Sequence, residues 1–184
     1  MENVKQSYTN ITVKWAVIYF ITSVVITYIF QFLNIDQNSA AKYLGYIPFI
    51  AFLLLAQKEY KDKLGGFLTF GQGFMTGFIY SVFGGILLAI FIYIYLAILS
   101  PQVLDQSLAS QHDKFVENGM SEDQIKTATE MGKKYGAIFG AVAVLFIMPI
   151  IGAIISLIGA AIFKKEPSVL DIEKNSDSYT DPVV

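Results

Sequence analysis

Four apolar runs dominate the chain, and two of them, 70–99 and 135–163, contain no charged residue at all. About 20 apolar residues in a helix cross a hydrocarbon layer roughly 30 Å thick, so each of these two is long enough to span a bilayer. A third run, 13–33, has Lys14 as its only charge; that side chain can snorkel to the interface beside Trp15, an aromatic suited to the headgroup layer. The run 40–56 is the shortest, contains Pro48 and Lys42, and reaches spanning length only just. Outer-membrane barrels need short alternating strands rather than long apolar runs. The expected fold is therefore an all-α integral membrane protein with four transmembrane helices, at about 13–33, 40–56, 70–99 and 135–163.

The first run is expected to be an uncleaved anchor. Its apolar stretch exceeds that of a signal peptide, and the small residues Ser39, Ala40 and Ala41 lie well beyond its end. Between the second and third runs, Gln57 to Lys63 reads as a polar loop, followed by the Gly65-Gly66 break. Thr69 and Gln72 then have the spacing of a capping box at a helix start. Ser100-Pro101 reads as an N-cap with proline at the first helical position, and Asn118-Gly119 as the stop of a short amphipathic helix. Ser121 and Gln124 form a second capping-box pair, so 100–134 reads as an extracytoplasmic helical hairpin whose second helix runs into the last span. Pro149 lies inside that span, where its missing N–H predicts a kink. Residues 166–184 are polar and read as a disordered cytoplasmic tail.

Orientation follows from lysine. Lys5, Lys14, Lys58, Lys61, Lys63, Lys164, Lys165 and Lys174 fall on one side, against Lys42, Lys114, Lys126, Lys133 and Lys134 on the other. The positive-inside bias puts both termini in the cytoplasm, and the expected location is a bacterial cytoplasmic (inner) membrane. Every cation is lysine, which removes bidentate arginine recognition, and a net charge of -2 offers no basic face for nucleic acid. Cysteine is absent, so no disulfide or thiolate chemistry is available.

In lipid, helices associate through close approach of small residues. Gly73, Gly77, Ser81, Gly85 and Ala89 recur every four residues along the third span, and Gly132, Gly136, Gly140, Gly152 and Ser156 stand in the same period on the fourth. The third and fourth spans are expected to pack along these ridges. Gln72, Thr76 and Ser81 are the best candidates for a polar path, although such residues more often bond their own backbone or a neighbouring helix.

Catalytic chemistry has little to work with. The spans contain no charged residue away from their ends, which disfavours proton-coupled transport. His112 stands beside Asp113 with Glu117 nearby, too few ligands for a dedicated metal site. No P-loop, HExxH or GxSxG pattern is present. The expected protein is not an enzyme and takes no cofactor or metal. It is a noncatalytic membrane protein, an accessory or scaffold subunit whose partners are the lipid bilayer and a second copy or other membrane proteins. The alternative is an oligomeric channel or uncoupled small-solute permease.

Two segments, KDKLGGFLTFGQGFMTG from Lys61 to Gly77 and GMSEDQIKTATEM from Gly119 to Met131, together with the flanking spans, resemble a bacterial family of small four-span proteins, domain of unknown function 4199. The resemblance covers the chain to about Lys165. It implies the four-span architecture and carries no activity.

Overall fold

Local signals set the helix boundaries. Thr69 accepts a hydrogen bond from the backbone N–H of Gln72 at 3.3 Å, and the Gln72 side chain accepts from the Thr69 N–H at 3.0 Å. Ser121 and Gln124 do the same at the start of the last helix. At two helix ends a glycine with positive φ closes the helix: Gly65 (75°) and Gly119 (74°). In both places the next residue's N–H bonds back to a carbonyl five positions earlier, Gly66 to Lys61 and Met120 to Phe115, which is the Schellman ending.

The computed structural model describes residues 2–33, 35 and 40–167 and is all-helical, with three helices long and apolar enough to cross a membrane. Helix α1 is Glu2–Phe32; a 3₁₀ segment, Ala40–Gly45, leads into α2, Tyr46–Lys63. Helix α3, Phe70–Ile94, continues as a π turn, Tyr95–Leu99, and is followed by α4, Pro101–Glu117, and α5, Glu122–Phe163. The three membrane candidates are Thr9–Phe32, Phe70–Leu99 and Glu122–Phe163. Their outward apolar side chains are broadly exposed, Ile21 by 55%, Phe146 by 64% and Ile162 by 66%, as lipid-facing residues must be. This is a membrane protein.

The 40–56 segment differs from the expected single helical run. Helix α2 begins at Tyr46, which puts Pro48 in its first turn, where a missing N–H leaves no intrahelical bond unmade. The helix then continues through the expected polar loop 57–63 to Lys63. Its apolar part, Tyr46–Ala56, is only about 16 Å long at 1.5 Å per residue. Helix α5 is continuous from Glu122 through Pro149. Of the cleavage-like trio, Ser39 lies outside the described residues, as does the expected tail beyond Pro167.

Helix α3 is the hub of the bundle. It packs against α5 over most of its length and also meets α1 and α2, while α2 touches α1, α3 and α5. The core centres on three rings from three helices: Tyr19, Phe49 and Tyr80, with centroids 5.2–6.1 Å apart. The Tyr80 hydroxyl donates to the Phe49 carbonyl at 3.2 Å. At one end a pair of backbone hydrogen bonds joins Leu68 to Lys165, so the α2–α3 turn and the end of α5 lie together.

Candidate functional site

The α3–α5 seam is built from residues too small to keep the two backbones apart. A Cβ placed on Gly73 would lie 3.1 Å from Ala160, one on Gly77 2.4 Å from the Ser156 Oγ, and one on Gly85 3.1 Å from Met148. From the other helix, a Cβ on Gly152 would lie 2.1 Å from the Cβ of Ser81. The helices run antiparallel in a fixed register, each step of four along α3 meeting a step of four back along α5. Ala89 is buried one step further on. Gly140 faces Ile92 and Leu96.

Gly132 and Gly136 do not face α3. Cβ atoms there would meet Leu108 at 2.5 Å and Leu104 at 2.8 Å, both side chains of α4. The reason is geometric: the chain turns at Ser100, so beyond Gly140 helix α5 has outrun α3 and its next neighbour is α4. An exposed ion pair, Asp105 with Lys133 at 3.3 Å, accompanies that contact.

A polar knot crosses the seam. The Gln57 amide nitrogen donates to the Gly73 carbonyl at 2.9 Å, the Ser156 carbonyl at 3.0 Å and the Ser156 hydroxyl at 3.2 Å. Ser156 in turn donates to the Phe74 carbonyl at 2.6 Å. Gln57 therefore ties α2 to both α3 and α5, and it is fully buried. Its Oε1 has no N–H or O–H partner among the described residues. That oxygen lies where a Cβ on Gly159 would come within 2.0 Å of it, so it rests over the Cα hydrogens of that glycine. Contacts of this kind are weakly favourable, about 0.5–1 kcal/mol.

The residues of the expected polar path all bond within α3 and its cap. Gln72 is held in its capping box. The Thr76 hydroxyl donates to the Gln72 carbonyl at 2.7 Å and the Ser81 hydroxyl to the Phe78 carbonyl at 2.7 Å, and both residues are fully buried. Ser81 is covered by Gly152.

At the bundle end that holds the α2–α3 turn, Glu59 joins α2 to α1. Its carboxylate accepts from the Lys14 ammonium and, at 2.7 Å, from the Trp15 indole N–H, with Lys63 3.8 Å away. Partial burial alone would push this carboxyl up, but the hydrogen bonds from Lys14 and Trp15 and the two lysine charges outweigh it and hold its pKa below the usual carboxylate range. At the opposite end Gln31 bridges α1 to the π turn, donating to Ser100 at 3.0 Å and accepting from Tyr95 at 3.3 Å.

Above the aromatic core a cleft of about 370 Å³ opens between α1 and α5, with α3 as its floor and the start of α2 closing one end. The hydroxyl-bearing residues Tyr19, Ser23, Thr27, Tyr46 and Tyr95 line it among apolar walls such as Leu88 and Met148. No charged side chain contributes.

A profile of the family described as a protein of unknown function, DUF4199, matches residues 14–165. The chain belongs to the DUF4199 family. No curated protein and no solved structure matches it. The DUF4199 match begins at the lysine that meets Glu59 and ends at the lysine that bridges to Leu68, so it covers the bundle except for the first part of α1. Elsewhere in the DUF4199 chain, His112 is exposed, 3.6 Å from Asp113, and no group of three or more His, Asp or Glu side chains among the described residues is placed to hold a metal.

Sequence reasoning missed Gln57, Glu59 and the cleft. Gln57 had a signal: Phe49, Leu53 and Gln57 are spaced by four, so a helix extended past Ala56 puts the amide on the buried stripe. Glu59 and the cleft had none, because each depends on which helices become neighbours.

Proposed function

We propose that this protein is a noncatalytic accessory or scaffold subunit of a bacterial inner membrane, crossing the bilayer four times with both ends in the cytoplasm. The observation that carries the reading is how the polar side chains inside the bundle are used. Gln57, Thr76, Ser81 and Ser156 are all fully buried, and each one's hydrogen bonds run to backbone carbonyls or to one another. Polar groups engaged in this way hold helices in register and offer little to a passing solute. Liposomes containing the purified protein test this: no flux of small neutral solutes or monovalent ions is expected. Robust flux abolished by substitution at Gln72 overturns the scaffold in favour of the oligomeric channel or permease.

Two observations support four crossings. The 3₁₀ segment before α2 rises about 2 Å per residue, so it adds roughly 12 Å to the apolar part of α2 and brings the pair close to the hydrocarbon thickness. The Glu59 and Leu68–Lys165 contacts also gather Lys14, Lys58, Lys61, Lys63, Lys164 and Lys165 at one bundle end, the arrangement the positive-inside bias assigns to the cytoplasm. Helix α4 and the start of α5 then form a hairpin on the outer side. The chain has no native cysteine, so Lys61→Cys and Asp113→Cys variants report topology directly. An impermeant maleimide applied to intact cells is expected to label position 113 and spare 61; the reverse pattern refutes the orientation.

A further inference from the structure

We propose that the cleft between α1 and α5 binds a neutral, lipid-soluble molecule with a hydrogen-bonding carbonyl, of the quinone type. The site stands independently of the scaffold reading.

Three observations lead there. The first is size and chemistry. At about 370 Å³ the cleft falls within the range of small-molecule sites, and its walls combine apolar side chains with a few hydroxyls and no charge. An uncharged lining selects a neutral occupant, since an ion in so dry a place would lack a counter-charge.

The second is depth. The α1 wall runs from Tyr19 to Phe30, about 16 Å at 1.5 Å per residue, or half of a hydrocarbon layer roughly 30 Å thick. Lys14 marks one interface through its contact with Glu59, and α1 ends at Phe32. Ser23 lies about 14 Å from either mark, near the middle of the membrane. A phospholipid places its ester oxygens at the interface, so a lipid entering the cleft would bring only methylenes to Tyr19 and Ser23. Those hydroxyls are matched by an oxygen that itself resides in the hydrocarbon layer.

The third is hydrogen-bonding capacity. Thr27 spends its proton on the Ser23 carbonyl at 2.9 Å, but the Tyr46 phenol makes no hydrogen bond within the described residues and faces the cleft from α2. Ser23 stands beside the Tyr19 phenol. Donors converge from α1 and α2, and the half-buried Tyr46 ring offers a face for a planar head. Access is lateral, because α1 and α5 each pack chiefly on α3, with the cleft between them.

Trp15 is the single tryptophan and lies one helical turn below Tyr19, so its fluorescence reports on the site. Decylubiquinone titrated into the purified full-length protein in dodecylmaltoside is expected to quench that emission saturably. Thr27→Phe fills the cleft and should abolish the saturable component. Ser23→Ala removes one hydroxyl and should weaken binding roughly three- to tenfold while the quenching stays saturable. Quenching that rises linearly without saturating overturns the proposal, as does equal saturation in Thr27→Phe. If that variant does not fold, an unchanged affinity in Ser23→Ala overturns it. Thermal stabilisation by phosphatidylglycerol with no response to decylubiquinone overturns it too, since an acyl chain would then be the occupant.

Discussion

Replacing Gly152 by alanine should separate α3 from α5. The added Cβ would lie 2.1 Å from the Cβ of Ser81, where ordinary carbon contacts need about 3.5–4.0 Å. Neither atom has a rotamer to escape into, because a Cβ moves only with its backbone. The helices must therefore part by roughly 1.5 Å at this point, and the close approaches one step away on either side, Gly77 to Ser156 and Gly85 to Met148, open with it. A gap of 0.5–1 Å already forfeits a quarter to a half of a contact's attraction, so the loss spreads along the seam. The expected cost is about 3 kcal/mol, the upper end of the overpacking range.

The control is Gly71→Ala: no atom lies within 4 Å of the new methyl, and a gain of up to about 0.5–1 kcal/mol from helix propensity is expected. The decisive variant is the exchange Gly152→Ala with Ser81→Gly, which moves the small residue from α5 to α3 and clears the overlap. Unfolding by increasing mole fraction of sodium dodecyl sulfate in dodecylmaltoside, followed by Trp15 emission, should show the double variant more stable than Gly152→Ala alone. A coupling of about 2 kcal/mol is expected, within the range for residues in direct contact. If Gly152→Ala unfolds with wild type, or the exchange restores nothing, the two helices do not meet as described.

Further outcomes follow from the other contacts. Gln57→Leu removes the amide that links α2 to α3 and α5 and should cost about 1–2 kcal/mol in the same unfolding assay; Gln57→Glu should cost more, because it turns a carboxylate toward two carbonyl oxygens. Glu59 has a lowered folded pKa, so its link to Lys14 and Trp15 stabilises the bundle above the ordinary carboxylate range and is lost as pH falls through the depressed value. Thermal midpoints of wild type should therefore decline on acidification more than those of Glu59→Gln; parallel curves would show that the carboxylate contributes nothing. Asp105→Asn breaks an ion pair whose partners are both more than half exposed and should shift stability by less than about 0.5 kcal/mol.

How much of this was legible in the sequence depends on the range of the interaction. The capping boxes at Thr69 and Ser121 and the glycine stops at Gly65 and Gly119 are local, and their signals lie within a few residues of one another. The seam was legible as two rows of small residues with the same period. Which members of the second row face which helix was not: Gly132 and Gly136 have the right spacing but stand beyond the end of α3, opposite α4. Gln57 was hidden because hydropathy averages it into a lysine-rich stretch, whereas the chain continues that stretch as helix and buries one face of it.

The cleft follows from the same features taken together. Helix α3 receives α5 on Gly77, Ser81 and Gly85 and α1 on Gly84, where a Cβ would lie 3.2 Å from the Tyr19 ring. Adjacent residues on a helix point about 100° apart, so α1 and α5 are held on faces of α3 that cannot bring them into contact. A wedge between them is unavoidable. Through half of the bundle α2 fills it: Phe49 reaches Tyr19 and Gly152, Leu53 reaches Gly77, and Gln57 closes on Gly159. Helix α2 begins only at Tyr46, and at that end the wedge continues as an opening lined by α1, α3 and α5, with Gly45 and Tyr46 at its edge. Lengthening α2 by one turn, by inserting four alanines between Gly45 and Tyr46, should therefore occlude the cleft while leaving the α3–α5 seam untouched. Decylubiquinone quenching of Trp15 should be lost while resistance to sodium dodecyl sulfate is retained; loss of both would mean that the opening and the seam are not separable features of the bundle.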